Sequence, residues 1–426
     1  MSQGGQDGTV SVALWHDGNQ GFYGFDQFNH YVESAKTPTS LVLIYDPLRG
    51  PPDPTVNAGR IEFAFSGYTS VLIENGPLAG TQQVTGGTVT GLKYQTANGA
   101  LLLEIAQLNQ SLPIILSAMA RGDGAAVWQM ITRATNTIIG SNDASGPNTV
   151  ATGDVLDSGT GTDAVIALDG DDYLQDRGGT DTYNGGAGFD TVSYDGWYYR
   201  PWGIIWGLSA DLVLGQVTGP DGAIDTLIGV EALNGTFLAD LLKGNNGANS
   251  FAGFAGADRI DGRGGFDMVS YGREASQGGS DGIKVNLARG RVRDSFGYTD
   301  TLTSIEGVQG TAQTDTFTDN GADNFFSGSA GNDFFSFGPG NDTGRGGAGQ
   351  DVFQFRGPAF GDDTIDDFSQ AQGDLIQIAT VAAFADLQIS AVVINGVAAS
   401  FVEFTGGNLT LLGVAAASLT AADFGL

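Results

Sequence analysis

The apolar residues of this chain change rhythm once. Up to about residue 135 they gather in runs at 10–15, 41–45, 61–65, 71–73, 88–94 and 101–105, β-branched or aromatic and bounded by Gly, Pro or Asn, which predicts strands. Asn98-Gly99 lies between the last two runs and predicts a type I′ hairpin turn. Ser111-Leu112-Pro113 then opens a helix with proline in its first turn. Residues 114–119 and 125–131 keep helical apolar spacing, interrupted at Gly122-Asp123-Gly124. Residues 1–135 therefore read as an N-terminal α+β domain.

From residue 136 the rhythm becomes a strict period of nine. The stretch SGTGTDAVI, ALDGDDYLQ, DRGGTDTYN, GGAGFDTVS places Asp163, Asp172, Asp181 and Asp190 in one phase, with Gly161, Gly170, Gly179 and Gly188 keeping step. A second block holds Asp240, Asn249, Asp258 and Asp267 in the same phase. A third holds Asp315, Asn324, Asp333, Asp342 and Asp351. A longer period overlies the short one, since FDTVSY at 189–194 returns as FDMVSY at 266–271 and DTLIGVEALNGT at 225–236 returns as DTLTSIEGVQGT at 300–311. The chain thus divides into a first repeat block (136–194), spacer strands with a second block (195–271), spacer strands with a third (272–353), and a C-terminal cap (354–426). Alternating runs at 210–214 and 283–287 predict spacer strands that continue the same sheet.

Composition narrows the chemistry. Of 426 residues, 68 are glycine, cysteine is absent, and 48 Asp and Glu face 18 Lys and Arg, a formal charge of −30. Such a surplus repels nucleic acid and anionic membranes. It suits hard divalent cations, which take oxygen ligands. Disulfides and thiolate metal sites are excluded. MSQGGQDGTV lacks the basic and apolar regions of a signal peptide, and no apolar run is long enough to span a membrane as a helix.

Within each nonamer the leading glycines permit a tight turn and the last three residues a short strand. Three strand residues reach only about 10 Å, so two nonamers make one coil of 18 residues with a parallel sheet on each side. Acids 18 apart then stack: Asp163 over Asp181, Asp172 over Asp190, Asp240 over Asp258, Asp315 over Asp333 and Asp351. Stacked like charges repel without a counterion. Carboxylates gathered between coils with outward carbonyls predict Ca²⁺ sites. The expected fold is mainly β, an N-terminal α+β domain followed by a calcium-binding parallel β-roll and a C-terminal β cap.

GGAGFDTVS at 185–193 matches, and RGGAGQDVF at 345–353 nearly matches, the nonapeptide G-G-x-G-x-D-x-U-x, so residues 136–426 resemble the repeats-in-toxin (RTX) family. Asn249 and Asn324 depart from the pattern and imply weaker sites. The tail from residue 351 resembles the end of serralysin-type and other type I secreted proteins. That resemblance implies that Asp363, Asp367 and Asp374 lie in the segment closing the roll and that LTAADFGL is an uncleaved export signal, making the protein secreted, extracellular or at the cell surface.

A catalytic constellation is not legible. There is no H-E-x-x-H, no G-x-S-x-G, and the histidines are His16 and His30, which excludes a serralysin-like protease. The strand-helix order of the first domain loosely resembles secreted haemophores, with His30, Tyr31 and Tyr68 as candidate ligands. Trp197, Tyr198, Tyr199, Trp202 and Trp206 form an aromatic cluster confined to the first spacer, a candidate surface for self-association or for cell-surface polysaccharide. The expected role is a calcium-binding structural or adhesive extracellular subunit. The alternative is a ligand-binding, haemophore-like or hydrolytic N-terminal domain on an RTX export module.

Overall fold

The computed structural model describes residues 31–36, 40–45, 58–72, 82–96, 101–111, 137–139, 155–195, 206–357 and 359–426, with side chains at Ile138 and from Val155 onward. The predicted strand at 10–15, the helix at 112–131, the Asn98-Gly99 turn, the side chains of the haem candidates and Trp197 to Trp202 lie outside the described residues. Among the described residues, helical segments are short 3₁₀ turns. The chain forms two compact units, Met1–Tyr199 with Gln216–Val230, and Arg200–Gly215 with Glu231–Leu426.

In the first unit, strands Tyr31–Lys36, Ser40–Tyr45, Ala58–Leu72, Gln82–Thr96 and Leu101–Ser111 make an antiparallel meander. Strand Thr137–Ile139 pairs antiparallel with that meander through Glu104, Ile105 and Ala106. Its other edge pairs parallel with Ala164, Val165 and Ile166 of the first repeat coil. The sheet then runs on, parallel, through Ala164–Asp169, Thr182–Ala187 and Ile224–Ile228, and ends on antiparallel Gln216–Thr218. The opposite face stacks Val155–Asp157, Tyr173–Gln175 and Thr191–Ser193 in parallel. Leu174 lies beside Val192, the 18-residue offset that a two-nonamer coil requires.

The second unit repeats the plan. One face stacks Ser209–Asp211, Leu241–Lys243, Arg259–Asp261 and Thr299–Thr303. Antiparallel Arg291–Arg293 and Lys284–Asn286 follow. The stack resumes with Thr316–Thr318, Phe334–Phe337, Val352–Phe355 and Leu375–Ile378. The other face runs in parallel from Ala232–Asn234 to Gly361–Ile365 and Gly407–Leu412, then turns antiparallel through Val397–Phe404 to Gln388–Ile394. The mainly β reading with parallel rolls holds.

The eighth residue of each nonamer points inward and fills the roll, as strand alternation dictates. In the third block this core is aromatic. Phe335 lies stacked between Phe317 and Phe353, 4.9 Å from each, and all three are fully buried. Gly344 takes the eighth position among them because a Cβ there would meet the Phe337 and Phe353 rings at 2.9 and 3.2 Å.

One predicted spacer strand is shorter than its alternation suggests. Strand Ser209–Asp211 stops where Oδ1 of Asp211 accepts the N–H groups of Val213 and Leu214 at 3.0 and 3.2 Å. That local acceptor competes with the sheet for the backbone, and both apolar side chains are left exposed. In the second spacer, strand Lys284–Asn286 likewise gives way to a 3₁₀ turn, Leu287–Arg289, capped by the Asn286 side chain.

Candidate metal centre

The in-phase acids form ladders along the edges of the rolls. The N–H of Asp163 donates to Oδ1 of Asp181 at 2.7 Å, and that of Asp172 to Oδ1 of Asp190 at 2.8 Å. In the second unit the same bond joins Asp240 to Asp258, Asn249 to Asp267, Asp315 to Asp333, Asn324 to Asp342 and Asp333 to Asp351, at 2.8 to 2.9 Å. Each carboxylate is thereby fixed by one oxygen, with its backbone carbonyl also engaged: Asp333 O accepts the N–H of Val352 at 2.8 Å.

The other oxygen is the chemically informative one. Oδ2 of Asp258, Asp267, Asp333, Asp342, Asp351 and Asp363 is buried and has no hydrogen-bond partner. A buried, bare carboxylate oxygen costs several kcal/mol unless a proton or a cation meets it. The carboxyls are accordingly shifted up by burial above all and also by neighbouring acids: Asp333 to about 8 with Asp315 and Asp351 beside it, Asp363 to about 7, and Asp267 and Asp351 to about 6.

Glycine at the first position of the nonamer makes the space. A Cβ on Gly328 would sit 2.0 Å from Oδ2 of Asp333 and 2.7 Å from the carbonyl oxygen of Gly346; on Gly262 it would sit 2.3 Å from Ser304 O and 2.4 Å from Asp267 Oδ2. A carboxylate oxygen and a carbonyl oxygen of the next coil thus converge on a hollow bounded by oxygen. Neither glycine has a left-handed φ. Of positions one, two and four, where glycine is expected to allow positive φ or close backbone approach, the second and fourth carry the positive φ, Gly347 at 95° and Gly349 at 141°, and the first carries the close approach.

Other predicted site residues are held by the chain itself. Asp240 accepts Leu208 N–H and the Thr236 hydroxyl on Oδ1 and Thr236 N–H on Oδ2. Asp315 repeats this with Ile283 and Thr311. Asn249 and Asn324 turn their amides to the carbonyls of Glu231 and Glu306, 18 residues earlier, a bond that aspartate could not donate. At the closing end Asp367 accepts Gly346 and Gly347 N–H, one on each oxygen, and Asp374 accepts Asp351 and Ser369 N–H. Asp240, Asn249, Asp315 and Asn324 begin ladders and Asp374 ends one.

Three ladder members were missed, Asp225 and Asp300 because they break the nine-residue phase and Glu306 although it keeps it, nine residues before Asp315. Asp225 accepts the N–H of Asp181 across 44 residues, Asp300 that of Asp258 across 42, and Glu306 that of Asp267 across 39. Their signal was the recurrence of DTLIGVE and DTLTSIE, in which Asp225 and Asp300 hold the first place. The 16 sequence-derived positions therefore include the ladder carboxylates with bare oxygens but omit the acids that carry the ladder across the spacers, and also the buried spacer acids Glu274 and Asp294.

The donor set is carboxylate and carbonyl oxygen throughout, which fits Ca²⁺, a cation taking 6–8 oxygens at about 2.3–2.6 Å in adaptable geometry. The family model of the RTX calcium-binding nonapeptide repeat matches in four copies, over residues 157–192, 234–269, 309–344 and 338–354. No curated protein matches the chain. Among solved structures, the extracellular lipase LipA from Serratia marcescens is similar at 18% identity over 45% of this chain and 39% of that one, with a TM-score of 0.18. The match spans well under half of the lipase.

Proposed function

We propose that this RTX-repeat protein, whose repeats bind several calcium ions, is a secreted structural or adhesive component that becomes rigid on meeting extracellular calcium. The ions would lie between coils, held by the bare oxygens of Asp258, Asp267, Asp333, Asp342, Asp351 and Asp363, with Asp163, Asp172, Asp181 and Asp190 as the ladder residues of the first unit. Where calcium is scarce the ladders repel, at about 1 kcal/mol per close pair even in water, so the repeats stay unfolded and fit for export. The C-terminal LTAADFGL would serve as the export signal. In the folded unit its Phe424 is buried and its Asp423 caps the last turn through Thr420, which suits a signal read before folding.

The observation that carries the structural reading is the double pairing of strand Thr137–Ile139, meander on one edge and roll on the other. A sheet shared in this way transmits force without a flexible linker. Self-association of calcium-loaded molecules is part of the reading, with cell-surface polysaccharide as the second partner through the aromatic first spacer. Trp206, its described member, is 72% exposed. Sedimentation and electron microscopy of the purified chain with calcium and with EGTA test it. Ordered assemblies or filaments in calcium alone are expected, and a monomer at high concentration in calcium refutes the role.

A further inference from the structure

A chain of net charge −30 carries a basic face on its second unit. Strands Arg259–Asp261, Thr299–Thr303, Arg291–Arg293 and Lys284–Asn286 lie side by side there, and alternation turns Ile260, Leu302, Val292 and Val285 into the roll. Arg259, Arg291, Arg293 and Lys284 therefore stand outward, and all four are exposed. Register sets them in two neighbouring rows. One runs Arg259, Thr301, Arg291, Asn286, and the other Thr299, Arg293, Lys284, Thr316. With strands about 4.8 Å apart, Arg259 and Arg291 flank Thr301 at about 10 Å from each other, and Arg293 directly faces Lys284.

The fold does not require these cations. In the first unit Thr182 pairs with Thr226 and Thr226 with Gln216, with Thr218 on the same strand as Gln216, so uncharged residues stand where the second unit has Arg259, Arg291 and Arg293. The backbone plan is shared and the surface is not. Lys284 opposite Arg293 is moreover a like-charge pair, which weakens a sheet. The chain's own acids do little to offset it. Arg177, Arg263 and Arg345 meet Asp157, Asp211 and Asp366 at 2.7 to 2.9 Å, whereas among the described residues the ion pair of this face is Arg293 with Asp281, at 3.8 Å and with both side chains about half exposed. Asp261, two places along the strand from Arg259, stands opposite Lys243 of the next strand.

We infer that this face docks an anionic polysaccharide, a sugar polymer bearing carboxylate or sulfate groups. Three of the four cations are arginines, whose planar guanidinium meets such oxyanions with two parallel hydrogen bonds. They stand in rows on a sheet surface, which suits an extended chain with charges at intervals rather than a single small anion. At physiological salt a charge is felt over about 8 Å, so at contact the four cations outweigh the distant acids. A second copy of the chain is the poorer fit. The ladder carboxylates that supply much of its charge are buried and hydrogen-bonded within their own coils, and are not offered to a neighbour. The inference deepens the proposed role and rests on it, naming the chemistry of the carbohydrate partner and adding a charged surface to the aromatic first spacer.

The probe is dextran sulfate, with neutral dextran as its control, against the full chain in saturating calcium. Arg291→Gln with Arg293→Thr installs the residues that the first spacer carries at the same places, Gln216 and Thr218, and Arg345→Gln with Arg356→Gln removes two cations elsewhere. The parent and the second variant are expected to bind dextran sulfate alike, and the first variant at least tenfold more weakly, with none of them holding neutral dextran. Equal binding by the two variants overturns the inference, as does a parent that binds neither polymer or both alike. Loss of sedimenting assembly in the first variant, with polysaccharide binding intact, would assign the face to a contact between copies and overturn it too. Should the first variant fail to fold in calcium by circular dichroism, Lys284→Ser reports on the same rows. A threefold or greater loss is then expected, and unchanged binding overturns the inference. Binding that depends on these residues in a parent that never assembles would strike the structural-subunit reading and leave this one standing.

Discussion

Asp258 donates its N–H to Oδ1 of Asp300 at 3.0 Å, although 42 residues separate them. The bond has the geometry of the 18-residue steps on either side, so the ladder crosses the spacer and the spacer is looped out of it. Asp300 holds the place with a second bond, from the Tyr271 hydroxyl. Replacing Asp300 with Ala strands both buried donors and should cost about 3 kcal/mol. Asp300→Asn keeps an acceptor for Asp258 and should cost less. Thermal melting in saturating calcium orders the two, and equal melting temperatures would mean that the ladder is not continuous in energy.

The two kinds of glycine should fail differently. Gly346 needs no unusual φ, and its Cβ would lie 2.2 Å from Asp351 Oδ2. Gly346→Ala is therefore expected to fold in calcium with a weakened last-filling ion, by tenfold or more in a calorimetric titration. Gly349 combines a φ of 141° with a Cβ position 1.6 Å from Gly331 O, so Gly349→Ala should disrupt the coil itself, seen as lost β signal at saturating calcium. Identical behaviour of the two variants would contradict the division.

Acid should stabilise the calcium-free protein. The ladder carboxyls have folded-state values above the ordinary 3.8, near 6 for Asp267 and Asp351, 7 for Asp363 and 8 for Asp333. The folded state then binds more protons than the unfolded chain, and this contribution is complete below the unfolded value and lost as pH rises through about 6 to 8. In EGTA the repeats, unfolded at pH 8, should thus recover part of their β signal in circular dichroism at pH 5. Protons and calcium compete for the same oxygens, so half-folding should need more calcium at pH 5. A β signal in EGTA that is larger at pH 8 than at pH 5 would reverse the sign and refute the account.

The repeat phase made the coil legible because Asp333 and Asp351 must recur every 18 residues to stack, and nothing else in the chain constrains them so strictly. Asp225 and Asp300 were hidden because an insertion breaks that phase without breaking the ladder, which is held in space by hydrogen bonds and not by sequence distance, whereas Glu306 keeps the phase and was hidden because it stands where the pattern has Asp or Asn. The side-chain chemistry was legible only in part. Asp240 and Asp315 obey the period yet are satisfied by Thr236 and Thr311 four residues earlier, and only the donors around a carboxylate distinguish a cap from an open ligand. Alternation misled at Leu212 to Leu214 because the Asp211 side chain, a local acceptor, ends the strand there.

The outer strand Gln388–Ile394 should mediate contact between copies. It pairs on one side with Val397–Phe404 through the Asn395-Gly396 turn, both residues left-handed at φ of 51° and 82°, and among the described residues no strand covers its other edge. Natural edges are blunted by charge, proline or a bulge. QISAVVI carries no charge and no proline, and Val393 at its end is 72% exposed beside half-exposed Val397. At a net charge of −30 the calcium-free molecules repel, which protects the edge until calcium lowers the charge. Val393→Lys places a charge on that edge and, being at an exposed site, should leave the melting temperature in calcium within about 0.5 kcal/mol of the parent in equivalent stability. Sedimentation in calcium should then show assembly of the parent and little or none of the variant. Assembly of both to the same extent would remove this strand as the contact, and a parent that never assembles would remove the structural-subunit reading with it.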